Sequence, residues 1–295
     1  MRVGIVHTFT SPCRCHETLE RALVQLGHTT LRVDSEEVPV RADELAALDL
    51  VFDQTDRFRG EGVLRPTVRA ILDTRCARCI GSDARGCFLA DDKLATRRAL
   101  ERAGVPVPPG APVADRNGLD LSFPRVVKPV HEHMSRGLAL VHDQAEQDDA
   151  VRRARAAGSN ALLLESFVEG REVAVTVLGG RVLPIVEWPV EAGSVLDFDA
   201  KRTGADPEIA RLDEEPRSRI EKLALMAFRA LGLQDWARFD LRLDTRGSLF
   251  FLEANTKPSL EAGSPCLVAA RAVELDEAAF VNEIIEIARR RLGPR

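Results

Sequence analysis

At 295 residues, 45% apolar and 29% charged, the chain has room for two or three small domains and the composition of a globular protein. A net charge of −5 with both signs interspersed leaves no basic footprint for nucleic acid or anionic membranes. No apolar run approaches the roughly 18 residues of a membrane span, and the start, MRVGIVHT, lacks a long apolar signal core, so the chain is expected in the cytoplasm.

RVGIVHT at 2–8 has the pattern of a buried strand, and SPCRCHETLERALVQLG puts Leu19, Ala22, Leu23 and Leu26 at helical spacing before a stop at Gly27. TTLRV (29–33), DLVFDQT (49–55) and RCIGS continue as strands, with helices around 63–73 and 83–90. Such alternation predicts a parallel sheet of βαβ units with its ligand edge at the strands' carboxyl ends, near His7–Pro12 and Asp53–Gly62. No GxGxxG follows the first strand, which speaks against a dinucleotide site. Of the six cysteines, CRC at 13–15 and CARC at 76–79 could together offer zinc four thiolates. CxC is not the usual knuckle spacing and Cys79 lies in an apolar strand, which favours reduced thiols.

DDKLATRRALERAG at 91–104 is strongly helical and runs into a Pro-rich linker, marking a domain boundary near residue 90. FPRVVKPVHEHMSRGLALV (123–141) reads as strand, loop, strand, with Lys128 inside the apolar run, where an ammonium needs an anionic partner. ALLLESFVEGREVAVTVLGGRVLPIVEW (161–188) is a strand, a turn and a hairpin bent at Gly179-Gly180. Residues 189–214 are polar and weakly patterned, a candidate active-site lid. An amphipathic helix follows over 217–233, buried through Ile220, Leu223, Ala224, Ala227 and Leu231.

WARFDLRLDTRGSLFFLEANTKPSLEAGS (236–264) opens as a β-hairpin closed by Gly247. Counting outward from the turn sets Arg238 opposite Glu253 and Asp240 opposite Phe251. Arg238, Asp240, Glu253 and Asn255 then share one face, and Phe239, Leu241, Leu243, Phe250, Leu252 and Ala254 form the core face. Two carboxylates and an amide oxygen suit Mg²⁺ beside nucleotide phosphates. The same pattern also suits a solvated hairpin face with a cross-strand Arg–Glu pair. Two helical stretches close the chain.

An Arg-x-Asp strand, a turn, then LEANTKP resembles the metal-binding signature of ATP-grasp enzymes, and the following Ser resembles its D-alanine–D-alanine ligase branch. The resemblance is close over 90–295 and topological over 1–90. It implies an α/β chain: a pre-ATP-grasp domain (1–90), a central nucleotide domain (91–172) and a catalytic domain (173–295) with the 189–214 lid. It also implies Mg²⁺, two ions with Mn²⁺ as a substitute, on Asp240, Glu253 and Asn255. Lys93, Lys128 and Lys201 match phosphate-contacting lysines; Glu165 and Val168 match the adenine edge, and Glu172 the ribose contact. Ser135 and Gly137 match two positions of the family's GSSxG phosphate loop, Arg238 its oxyanion contact and Ser264 its acceptor-carboxylate contact. For Lys93, Glu165 and Glu172 an exposed surface residue is the competing reading, for Val168 simple packing, and for His131 and His133 ordinary loop histidines.

The implied reaction is ATP-driven joining of a small carboxylate and an amine, both amino acids, through an acyl phosphate, in a homodimer that needs neither nucleic acid nor membrane. Departures cluster around the substrate. HTFTSPCRCHE replaces the family's Glu-bearing loop after the first strand, DQTDRFRGEGVL lacks the His-Gly opening, and Met134 stands in the phosphate loop. Arg202 falls where a Tyr is common, and Ser259 replaces the Gly after the Pro. A ligase with a diverged substrate pocket is therefore the leading expectation. A true D-alanine–D-alanine ligase, an ATP-grasp enzyme making no amide and a non-catalytic ATP-binding module are the alternatives.

Overall fold

The computed structural model describes residues 1–115, 121–133, 135–189, 193 and 206–294. Strands β1 (Arg2–His7), β2 (Thr29–Asp34), β3 (Leu50–Gln54) and β4 (Cys79–Ile80) form a parallel sheet of order β2-β1-β3-β4. Helices α1 (Cys15–Gln25), α2 (Val38–Ala46) and α3 (Arg65–Thr74) cross between them. One face of the sheet packs on α2 and α3 through Val33, Leu45, Val68 and Leu72. Its other face, with α1, is covered from the far end of the chain. This is the expected βαβ unit, and its carboxyl edge carries Gln54, Thr55 and Asp56 into a chamber described below.

Helices α4 (Ala84–Asp91) and α5 (Lys93–Arg102) are separated by Asp92, whose carboxylate caps α5 at the Leu94 and Ala95 amides. Strands β5 (Gly110–Pro112), β6 (Arg125–Pro129) and β7 (Ala139–Val141), helix α6 (Gln144–Ala156) and strand β8 (Leu162–Ser166) follow. They make an antiparallel sheet, β5-β8-β6-β7, with α6 packed on it.

The third sheet contains β9 (Gly170–Leu178), β10 (Arg181–Val182), β11 (Val186–Trp188) and β12 (Glu208–Ile209), then β13 (Trp236–Asp244) and β14 (Leu249–Asn255). Its order is β12-β11-β9-β13-β14, with β10 paired to β9, all antiparallel. Helix α7 (Glu214–Ala230) buries Ile220, Leu223, Ala224 and Ala227 on one face of this sheet. Helices α8 (Pro265–Arg271) and α9 (Glu277–Leu292) cover the other and continue onto the first sheet, with Phe280 edge-on to Trp236 at 6.0 Å. Asp235 pins the junction, accepting from Arg291 at 2.7 Å and from the Gly81 amide at 2.8 Å. Each large apolar side chain sealed there stabilises by about 1.5–3 kcal/mol. Among the described residues no helix is long and apolar enough to cross a membrane.

The hairpin register differs from the expected one. Arg238 pairs with Asn255 and Asp240 with Glu253, whereas Leu241 pairs with Phe251, because a β-bulge between Asp240 and Leu241 leaves Leu252 unpaired. Arg238, Asp240, Glu253 and Asn255 still share a face. Beyond the bulge the faces exchange, so Leu249 and Phe251 enter the core while Leu252 faces a cleft and Phe250 is half-buried. Phe239 and Phe251 meet edge-on at 5.7 Å across the pair. The count is already one residue off at the turn, where Leu243 pairs with Leu249 rather than Ser248, and the bulge, which changes no residue type, shifts it by a second.

Candidate active site

A cleft lies between the sheet of β6 and β8 and the polar face of β13 and β14. Lys93, Lys128, Ser135, Glu165, Val168, Glu172, Asp240 and Glu253 line it, so eight residues singled out in the sequence meet in one place. Lys93, Glu165 and Glu172 are only 9%, 4% and 7% exposed, which removes the surface reading for all three. The partner that Lys128 requires inside its strand is the Glu165 carboxylate at 2.6 Å, which also accepts from Arg97 at 3.2 Å. Lys93 donates to the Glu132 carbonyl and lies 3.9 Å from Glu253. Burial brings the Lys93 ammonium below its ordinary value, with Glu253 opposing and Lys128 reinforcing the shift.

Glu172 accepts from Arg242 at 2.9 and 3.2 Å, and the same guanidinium donates to the Val168 carbonyl at 3.0 Å. Arg242 therefore shapes the 165–172 edge by gripping it at two points, one of them with a fork that a lysine could not reproduce. It was passed over in the sequence, although it continues the Arg238, Asp240 period on β13. Gly137 sits at φ +71°, and a Cβ there would lie 2.9 Å from Pro129 Cγ, so turn geometry alone demands a glycine. Met134, Lys201 and Arg202 lie outside the described residues, as does most of 189–214.

Asp240 and Glu253 face each other across the antiparallel pair, and Asn255 Nδ2 lies 3.4 Å from an oxygen of each. Arg238, which the count set opposite Glu253, forks onto Asp240 in its own strand at 2.7 and 2.8 Å rather than making the cross-strand pair of the alternative reading. Two carboxylates and an amide converging at the mouth of a lysine-lined cleft fit a hard divalent cation that keeps places for phosphate oxygens. Only two of the three are carboxylates, and among the described residues no group of three or more His, Cys, Asp or Glu is arranged to hold a metal.

Glu253 also lines a second cavity, a chamber of about 300 Å³ bounded by Arg238, Asn255, Ser259 and Ser264 together with the carboxyl edge of the first sheet. The Ser264 hydroxyl is buried there without a hydrogen-bond partner among the described residues, while its amide donates to the Glu261 carbonyl at 2.9 Å. His133 also faces the chamber. Burial, then Arg65 and Lys93, hold its imidazole well below the ordinary histidine value and so neutral. Lys257, unremarked in the sequence, crosses the chamber floor to Asp53 at the end of β3, 2.6 Å away with both side chains buried. Burial would raise the Asp53 carboxyl; Lys257 and Thr55 outweigh it and hold it below the usual range. Cys13 and Cys15 line the same chamber, whereas Cys76 is exposed and Cys79 is buried in β4. The two cysteine motifs thus serve different surroundings.

A family model described as the D-Ala–D-Ala ligase C-terminus matches residues 112–286. A D-alanine–D-alanine ligase of Sphingopyxis alaskensis is 36% identical over 281 residues, covering 90% of this chain and 89% of that one. The chain belongs to the D-alanine–D-alanine ligase family. The fold of the family's solved members agrees. The ATP complex of D-alanine–D-alanine ligase from Bacillus anthracis superposes with a TM-score of 0.80 at 20% identity, covering 99% of this chain and 98% of that one. The VanG D-Ala:D-Ser ligase of Enterococcus faecalis superposes with a TM-score of 0.79 at 19% identity, covering 97% and 99%. As a D-alanine–D-alanine ligase-like protein the chain is an ATP-dependent carbon–nitrogen ligase, of a family that uses ATP with a divalent metal on small amino acids.

Proposed function

We propose that the chain joins a small carboxylate to an amine through an acyl phosphate, with a substrate chamber diverged from that of a housekeeping D-alanine–D-alanine ligase. The carrying observation is that Glu253 lines both the lysine-lined cleft and the chamber, which puts a phosphoryl donor in one beside an acceptor in the other. In this reading residues 1–90, 91–172 and 173–295 act as three domains, with 189–214 as lid and Lys201 and Arg202 as its phosphate and substrate contacts. Glu165 and Val168 hold the adenine, Glu172 the ribose, and Lys93, Lys128, Ser135 and Gly137 the phosphates. Asp240, Glu253 and Asn255 would hold two Mg²⁺ ions, or Mn²⁺ in their place, whose bound charge offsets that of the transferring phosphoryl group.

The carboxylate oxygen of the first substrate attacks the γ-phosphorus and ADP leaves, with the lysines positioning the transferring group. The neutral amine then attacks the acyl carbon, the acyl–phosphate bond breaks, and the departing phosphate takes the one proton that the nitrogen gives up. Arg238 stabilises the oxygen on which negative charge develops, Ser264 holds the acceptor's carboxylate, and Ser259 adjoins the acceptor. A homodimer in the cytoplasm, acting on free amino acids rather than on nucleic acid or membrane, is consistent with this.

The identity to named D-alanine–D-alanine ligases favours one second reading, the housekeeping enzyme itself. ADP release with Mg²⁺-ATP against D- and L-amino acids, singly and in pairs, with mass spectrometry of products, separates the two. Turnover of D-alanine alone to its dipeptide overturns the diverged chamber. Turnover of another pair names the substrates, and ATP binding without turnover of any pair supports a non-catalytic module.

A further inference from the structure

The loop before α1 is docked on the loop after β14. The Arg14 amide donates to the Glu261 carboxylate at 2.7 Å, and the Leu260 amide donates to Cys15 Sγ at 3.2 Å. Cys15 Sγ also lies 3.5 Å from the Ser259 hydroxyl and accepts from Cys13 Sγ at 2.7 Å. One sulfur thus has three polar hydrogens within reach, at the first residue of an eleven-residue helix, where the peptide dipoles favour negative charge. The Cys13 thiol outweighs burial and, with Ser259 and Leu260, holds the Cys15 thiol below its ordinary value, while Cys13 is pushed up. Both residues line the chamber.

We propose that Cys13 and Cys15 form a reversible thiol–disulfide modification site that couples the oxidation state of the surroundings to the 256–264 loop. Cys15 as thiolate attacks one sulfur of a low-molecular-weight disulfide and expels its first thiolate. The Cys13 sulfur then attacks Cys15, the second thiolate leaves, and the Cys13 proton goes to a departing thiolate. Two protein thiols are oxidised and one small disulfide is reduced to two thiols. The bridged Cys15 sulfur carries no charge and accepts only weakly, so the buried Leu260 amide loses its anchor and Ser259 its neighbour. The activity arm of this inference rests on the ligase reading; the chemical and exchange arms do not.

The test incubates the whole chain with oxidised glutathione, caps free thiols with iodoacetamide, and applies trypsin and mass spectrometry. Trypsin cuts after Arg14, between the two cysteines, so the bridge leaves peptides 3–14 and 15–21 joined until dithiothreitol separates them. The joined peptides are expected while Cys79, Cys87 and Cys266, buried with thiols raised to about 12, 11 and 11, stay free. Hydrogen exchange at Leu260 should quicken severalfold on oxidation and ADP release should fall by roughly tenfold to a hundredfold, both reversed by dithiothreitol and both unresponsive to oxidation in Cys15→Ser, whereas Cys13→Ser should stop at the glutathione adduct on Cys15. Capped Cys13 and Cys15 under conditions that glutathionylate the exposed Cys76 overturn the site. A bridge that leaves Leu260 exchange unchanged overturns the coupling. Absence of ADP release from the reduced chain overturns the ligase reading alone, and the peptide and exchange readouts still decide this one.

Discussion

The cleft and the chamber meet at Glu253, yet their polar groups find partners in different ways. In the cleft the closest pairs form within one sheet, Lys128 with Glu165 on β6 and β8 and Arg242 with Glu172 on β13 and β9, and α5 adds Arg97 to Glu165. In the chamber the partners come from opposite ends of the chain. Lys257 reaches Asp53, and Leu260 reaches Cys15 across 245 residues. Short strand-to-strand pairs move as one body with their sheet, whereas chamber contacts exist only while the first sheet and the 256–264 loop stay docked. Substitutions in the cleft should therefore act on nucleotide and chemistry, and those in the chamber on docking and stability.

The sharpest break of that contrast is Glu253→Gln, which removes a carboxylate shared by both regions. ADP release at saturating Mg²⁺-ATP should fall by about 10³-fold, with little change in melting temperature. An enzyme still within tenfold of the parent would remove Glu253 from the proposed metal set. Next is Lys257→Met, which leaves Asp53 buried and charged; urea denaturation should report a loss of about 3 kcal/mol. Adding Asp53→Asn should recover most of that loss, and failure to recover would show that the lysine acts by something other than the pair.

Arg242→Lys keeps the charge and loses the fork. Its affinity for ATP, measured by calorimetry, should weaken about tenfold while the melting temperature moves little. An unchanged affinity would mean that the 165–172 edge holds its shape without Arg242.

The smallest effect belongs to His7 at the end of β1. Burial, then the stacked His16 ring and Arg32, lower its imidazole from 6.5 to about 4. Above pH 6.5 folded and unfolded chains both hold it neutral. Below that the unfolded chain takes up a proton that the folded chain refuses, so stability falls as pH drops from 6.5 towards 4 and is not lost further below. Melting temperatures of His7→Asn across this window should show a flatter slope than the parent, and an equal slope would place the sensitivity elsewhere.

The same contrast separates what could be read in the chain from what could not. Arg238, Asp240, Glu253 and Asn255 were legible as one face because strand alternation is local, and Lys128 because an ammonium inside an apolar strand demands an anion. That the anion is Glu165 depends on β6 lying beside β8, a matter of sheet order. The bulge between Asp240 and Leu241 escaped the count because backbone irregularity carries no mark in residue type. Arg242 was within reach of the period and needed only the pattern extended by two residues.

By itself the sequence determined the alternation of strands and helices, the hairpin's polar face and the family signature, all written in spacings of a few residues where backbone geometry dictates the period. Tertiary structure alone decided the register past the bulge, the Lys257–Asp53 pair and the docking of Cys15 beneath Leu260. The last two contacts join segments hundreds of residues apart, and which segments meet is settled by how three sheets pack around shared cores rather than by any local preference.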